Sequence, residues 1–202
     1  MSSLQGDKQE AILDAAYTLF GSNGFYETKM SAIAQQAGIA KGTIYLYFKS
    51  KEELFVAVTK RDCSSFLQRL KHELKNCSDV PSRIAYIARH HLRYYYECRN
   101  HTNLFFMAPN NDPELIAYMQ QFMEDYMRMV VAVLEESGGR ESELYAQSYI
   151  GMLDRLKMDI LFKPDFDEQD LERRIQFAAN LFTHGFISSL PEEQRDGSEV
   201  NQ

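Results

Sequence analysis

Four lysines, Lys29, Lys41, Lys49 and Lys51, fall within residues 28–51, and that stretch contains no acidic residue. The same stretch holds the hydroxyls of Thr28, Thr43, Tyr45 and Tyr47, with the side-chain-free Gly42 in their midst. Ammonium and hydroxyl groups at this density hydrogen-bond phosphate oxygens, and lysine or threonine at the start of a helix also reaches base edges in a DNA groove. The whole chain carries a net charge of −7, which opposes binding to a polyanion. Residues 1–60, however, hold six Lys against six Asp or Glu, so the acidic excess lies entirely beyond them. A locally basic surface on an acidic protein is a phosphate-binding footprint. The competing reading is a solvated face that lacks acids.

The elements that position these groups are two short helices between residues 29 and 48. Thr28 is placed to cap the first, its hydroxyl meeting an orphan amide. Ile33, Ala34 and Ala37 form the inward stripe of that helix, and Ala34 is small enough for the next helix to cross close by. Gly38 falls where the chain must turn sharply, since glycine takes positive φ without steric cost. Ile39 plugs the corner, and the second helix buries Ile44 and Phe48 while leaving Lys41, Gly42, Thr43, Tyr45 and Tyr47 outward. Two helices joined by a glycine turn are a helix-turn-helix, whose second helix lies in the major groove. In that arrangement Lys41 and Thr43 face base edges, Gly42 lets the backbone approach, and Tyr45 meets bases or sugars. Thr28, Tyr47, Lys49 and Lys51 suit phosphate contacts; Tyr47 also suits a structural place beside Phe48.

The remainder reads as helix almost throughout. A first helix opens at Asp7-Lys8 and stops at Asn23-Gly24; a long one follows Ser50 and ends near Asn76. Others run from Asp79-Val80-Pro81 to about Arg99, over Thr102–Met107, from Asp112-Pro113 to Gly138-Gly139, from Ser142 to Phe162, and from Asp167 to Ser189. The expected fold is therefore all-α with about nine helices. Its division is a helix-turn-helix domain at 1–50 and a second domain at 51–202, with 51–76 as connecting helix.

Other functions find little support. No run of about 18 apolar residues is present, as a membrane span requires. The N-terminus lacks a basic segment followed by an apolar one, and Cys63, Cys77 and Cys98 are an odd, widely spaced set. Reduced thiols in a cytoplasmic protein are expected. His90-His91 are neighbours pointing about 100° apart on a helix, so they form no metal pair. No phosphate-cradling glycine loop or nucleophile motif occurs, so neither enzyme activity nor a cofactor or metal is expected.

Phe20, Gly24-Phe25, Thr28, Ile33-Ala34, Ala37-Gly38, Gly42-Thr43, Tyr45, Tyr47-Phe48, Lys51 and Leu54 together resemble the N-terminal signature of the tetracycline-repressor (TetR) family. The resemblance covers about residues 8–58, and beyond it only length, helix count and break positions agree. It implies a repressor of transcription that leaves a pseudo-palindromic operator when a small molecule binds, with Lys29 adding charge near the DNA. An architectural or division-associated DNA binder of the same fold, without inducer, is the alternative. The resemblance also implies a homodimer formed by the last two long helices. Leu144, Ile150, Leu153, Leu156 and Ile160 on one, and Leu171, Ile175, Ala178, Ala179, Phe182 and Phe186 on the other, would line it, unless these stripes face only their own core. An effector pocket is expected among Arg89, His90, Arg93, Tyr94, Phe105, Phe106, Tyr118 and Phe122. Its aromatic character suits a mainly hydrophobic ligand, with the arginines available to an anionic group.

Overall fold

The helix boundaries follow from where side chains can satisfy the free amides and carbonyls of helix ends. The computed structural model describes residues 2–99, 112–136 and 138–187. Among them are eight α-helices and no strand. They are α1 (Ser2–Asn23), α2 (Met30–Gln36), α3 (Lys41–Ile44), α4 (Lys51–Leu74), α5 (Val80–Glu97), α6 (Pro113–Glu135), α7 (Ser142–Phe162) and α8 (Glu168–Ile187). The helix expected over Thr102–Met107, with Phe105 and Phe106, lies outside the described residues.

Start signals act through named bonds. The Glu53 amide donates to Ser50 Oγ at 3.0 Å, and the Lys49 amide to Glu53 Oε2 at 2.7 Å, which opens α4. Asp79 accepts the Ser82 amide at 2.7 Å, Asp112 those of Glu114 and Leu115, and Asp167 that of Asp170. Each carboxylate covers orphan donors of a first turn. Stops use glycine: Gly24, Gly38 and Gly138 have φ of 88°, 69° and 72°. After Gly38 the Ile39 amide reaches back to the Ala34 carbonyl at 2.9 Å, closing α2 in the manner of a Schellman turn. One expected cap is corrected. Lys29, not Thr28, is the N-cap residue of α2, without a side-chain cap bond, because the Thr28 hydroxyl points inward.

The described chain forms two compact units. The first comprises described residues 2–65, 98–99 and 112–121, the second 66–97, 122–136 and 138–187. The core of the first is built on Ile12, Ala16, Ile33, Ile44 and Leu54, with Phe20 and Phe25 edge-on to Phe55 at ring separations of 5.5 and 5.2 Å. In the second, Leu70, Ile84, Ile87, Leu92, Leu134 and Leu153 surround Tyr149. That tyrosine stacks on Phe182 at 4.1 Å and donates its hydroxyl to the Ile84 carbonyl at 2.7 Å, so its polar end is satisfied in the core.

The second core also corrects the expected interface. Leu153, Ile160, Ile175, Ala178, Ala179 and Phe182 are buried within the single chain, and Leu156 is half-buried against the same cluster. A side chain consumed by its own core has no surface left for a partner. The Phe186 side chain lies outside the described residues.

Candidate functional site

The α2–α3 hairpin presents the groups that the sequence singled out, and separates them into two kinds. Ile33, Ala34, Ile44 and Phe48 are buried, which holds the hairpin on α1 and α4 through the first core. Lys29, Lys41, Gly42, Tyr45 and Lys49 are exposed, while Thr43 and Tyr47 are half-buried. The ammonium groups of Lys29, Lys41 and Lys49 have no partner among the described residues. A Cβ built on Gly42 would meet nothing within 4 Å, so packing does not demand glycine there. Tyr47 packs against the first core, in keeping with the structural place beside Phe48. Leu46, to which the sequence assigns no role, is 83% exposed between the two tyrosines.

Thr28 and Lys51 are of the second kind. Thr28 is buried, and its hydroxyl donates to the Gly24 carbonyl at 2.6 Å, with the Leu19 carbonyl at 3.1 Å. Lys51 Nζ donates to the carbonyls of Phe25, Tyr26 and Thr28 at 2.8, 3.1 and 3.1 Å and sits 4.5 Å above the Phe25 ring. Neither group faces solvent as a free donor. Sequence alone does not show where the carbonyls of a loop converge, so this pairing had no signal in it.

In the second unit a groove of about 470 Å³ lies along α4 and α5, lined by Arg69, His72, Glu73, Tyr86, Arg89, His90, Arg93 and Tyr94 among others. Four expected effector residues therefore meet: Arg89, His90, Arg93 and Tyr94. Two others do not. Phe122 packs on Phe66 in the core, and Tyr118, in the first unit, donates to the Lys60 carbonyl at 2.9 Å. Burial pushes His90 down to about 4, so the ring is neutral at physiological pH, with Nε2 donating to the Phe66 carbonyl at 3.0 Å. Arg89 and Arg93 are not free cations: both pair with Glu172, and Arg93 also with Glu168. Those arginines in turn hold the Glu172 carboxyl below its ordinary range. His91 faces away from the groove, buried, with Nδ1 3.1 Å from the Tyr126 hydroxyl. The two adjacent histidines thus serve different environments.

The relatives agree with this geometry. Residues 12–58 match the family described as bacterial regulatory proteins, tetR family. Over 84 residues the chain is 36% identical to the fatty acid metabolism regulator protein of Bacillus subtilis, covering 42% of this chain and 43% of that one. Over 188 residues it is 26% identical to the HTH-type transcriptional regulator UidR of Escherichia coli, covering 90% and 94% of the two chains. Its fold superposes on the transcriptional regulator FadR of Bacillus subtilis, solved with stearoyl-CoA, with a TM-score of 0.72 and 25% identity. That superposition covers 87% of this chain and 98% of the other. The segment 12–58 is thus that of the tetR family of bacterial regulatory proteins.

The last two described helices also carry exposed apolar side chains, of which Leu144 stands in the expected interface stripe and the others do not. Leu144, Met158 and Phe162 on α7, and Phe177 and Leu181 on α8, are exposed. On α7 these stand with Gly151 on one face, at steps of 7, 7 and 4 residues. Cβ atoms added at Gly151 or Gly185 would meet nothing within 4 Å. The small positions open to another surface are these glycines, whereas Ala178 and Ala179 are closed off in the core. Both helices carry two apolar stripes, and periodicity alone does not say which one turns inward. No described helix is long and apolar enough to cross a membrane.

Proposed function

We propose that this protein is a cytoplasmic, non-enzymatic transcriptional repressor that binds a pseudo-palindromic operator as a homodimer and is released by a small, mainly hydrophobic effector. The observation that carries the reading is the free, acid-free cation set on the α2–α3 hairpin. Lys29, Lys41 and Lys49 end in solvent around the open backbone of Gly42, within the segment that matches the tetR family. Lys41 and Thr43 address base edges, Tyr45 bases or sugars, and Lys29, Lys49 and Tyr47 the flanking backbone. Residues 1–50 act as the reading domain, and 51–202 as the domain that dimerises and takes the effector. The exposed faces of α7 and α8, with Phe162, Phe177 and Leu181, form the two-fold interface, so half-sites stand about one helical turn apart.

A fatty-acyl thioester is the effector class to test first, because the FadR relative holds stearoyl-CoA. The groove of Arg69, Tyr86, Arg89, His90, Arg93 and Tyr94 offers cations and aromatic faces to such a molecule. The effector must bind the free and DNA-bound states unequally, and by reciprocity DNA weakens effector binding by the same factor. The test is selection of duplexes from a random library, followed by anisotropy on the selected duplex with acyl-CoA of graded chain length. A selected two-fold sequence released by a subset of chain lengths supports the reading. Selection of no sequence refutes the DNA reader; selection without release by any acyl-CoA refutes the effector class alone.

A further inference from the structure

Among the lysines of the basic stretch, Lys51 is the one whose ammonium is fully spent. An ammonium has three hydrogens, and here three carbonyls, those of Phe25, Tyr26 and Thr28, lie at 2.8, 3.1 and 3.1 Å from Nζ. The Phe25 ring closes the remaining side at 4.5 Å. Thr28 is tied on both ends: its carbonyl accepts from Lys51, and its buried hydroxyl donates toward the carbonyls of Gly24 and Leu19. The next residue, Lys29, supplies the first carbonyl of α2, accepting from Ala32 at 3.0 Å and Ile33 at 3.2 Å. One peptide unit therefore separates the bonded loop from the helix that carries the hairpin.

We propose that Lys51 is a positioning residue rather than a phosphate contact: it clasps the start of α4 to loop 24–28 and so sets the pose of α2 and α3 on DNA. The proposal rests on the DNA-reading function argued above. Lys49, two residues earlier and open to solvent, is the phosphate ligand of this pair. The chemistry suits lysine in particular. A compact ammonium can sit at the point where three carbonyls converge, whereas the planar guanidinium fork of arginine directs its donors elsewhere.

The full-length protein is titrated by anisotropy on the duplex it selects from a random library, across a series of salt concentrations. Each phosphate neutralised by a cation contributes about 0.9 to the slope of log affinity against log salt. Lys49→Met is expected to weaken binding and to reduce that slope by this amount for each phosphate it leaves unneutralised. Lys51→Met is expected to weaken binding about tenfold or more with the wild-type slope. Lys51→Arg is expected to weaken it too, although arginine serves a phosphate at least as well as lysine. Wild-type affinity in Lys51→Arg, or a slope reduced by Lys51→Met, would overturn the clasp and make Lys51 a phosphate ligand. Should Lys51→Met fail to fold, as read by circular dichroism, Lys51→Arg decides alone. If the wild type selects no duplex, the DNA reading falls separately. Amide exchange at residues 28–33, faster in Lys51→Arg than in wild type, then supports the clasp, and unchanged exchange overturns it.

Discussion

The α2–α3 hairpin and the α5–α8 pair both carry cations, and they treat them in opposite ways. In the hairpin, Lys29, Lys41 and Lys49 stand exposed on a stretch without an acid. Along α5, Arg89 and Arg93 end on the α8 carboxylates Glu168 and Glu172. A free ammonium takes a phosphate by displacing only water and counterions. A paired guanidinium must give up a partner first, so any anion that enters the groove competes with Glu172. Arg69, on the same groove, has no ion-pair partner among the described residues and is the cation open to a first encounter. Under the proposed function, the hairpin offers salt-sensitive attraction to a phosphate backbone, and the groove an exchange of one anion for another.

The sharpest way to break this comparison is through the second core. Leu153→Ala removes a fully buried side chain, and such truncations cost about 2–5 kcal/mol. Chemical denaturation is expected to show that loss independently of protein concentration. A loss appearing only as dissociation on dilution would return Leu153 to an interface. Next in size, Leu181→Glu places a charge on the exposed face of α8. Sedimentation is expected to show monomers, with about 2 kcal/mol or more lost from association. A dimer that tolerates the glutamate would put the interface elsewhere.

Lys41→Ala addresses the hairpin directly, and its expected cost in specific DNA affinity is about 1–3 kcal/mol, with sequence preference relaxed. Equal affinity for selected and scrambled duplexes in the wild type would leave nothing for Lys41 to read. The smallest effect expected is on pH. Burial depresses His90 to about 4 and lowers His91 as well, so folding disfavours the protonated form of both rings. The unfolded chain takes up those protons below its ordinary value near 6.5. This stability is therefore full above that pH and declines as pH falls toward 4. Melting at pH 5 is expected a few degrees, on the order of 2–4 °C, below melting at pH 7. Residues 1–65 contain no histidine, so the loss should register on probes in the second unit. Equal loss when His90→Gln is melted would remove His90 from the account.

The same two regions differ in how far their sequences disclosed them. Gly24, Gly38 and Gly138 sit at positive φ where sharp stops were expected, and α7 runs from Ser142 to Phe162 as its breakers imply. These are local signals, decided within a few residues. The inward stripe of the hairpin was equally plain, because Ile33, Ala34, Ile44 and Phe48 have little else to do. Long-range bonds were not legible. Nothing near Lys51 in the chain announces that carbonyls 23 to 26 residues earlier gather at its ammonium. For α8 the difficulty was choice: Ile175, Ala178 and Phe182 are as apolar as Phe177 and Leu181, and only packing in three dimensions decides which set is covered.

Gly42 brings evolvability into view. A Cβ there would meet open space, and glycine inside a helix costs about 0.5–1 kcal/mol relative to alanine. The first unit therefore forgoes stability at the centre of the turn proposed to read DNA. Alanine at that position is expected to raise the melting temperature of the domain while blocking close approach to the bases. A residue that folding does not require can drift through many identities without unfolding its carrier. Each larger side chain would favour a different groove, and a duplicated copy of this protein could acquire a new target by changes at this position before any change in its core.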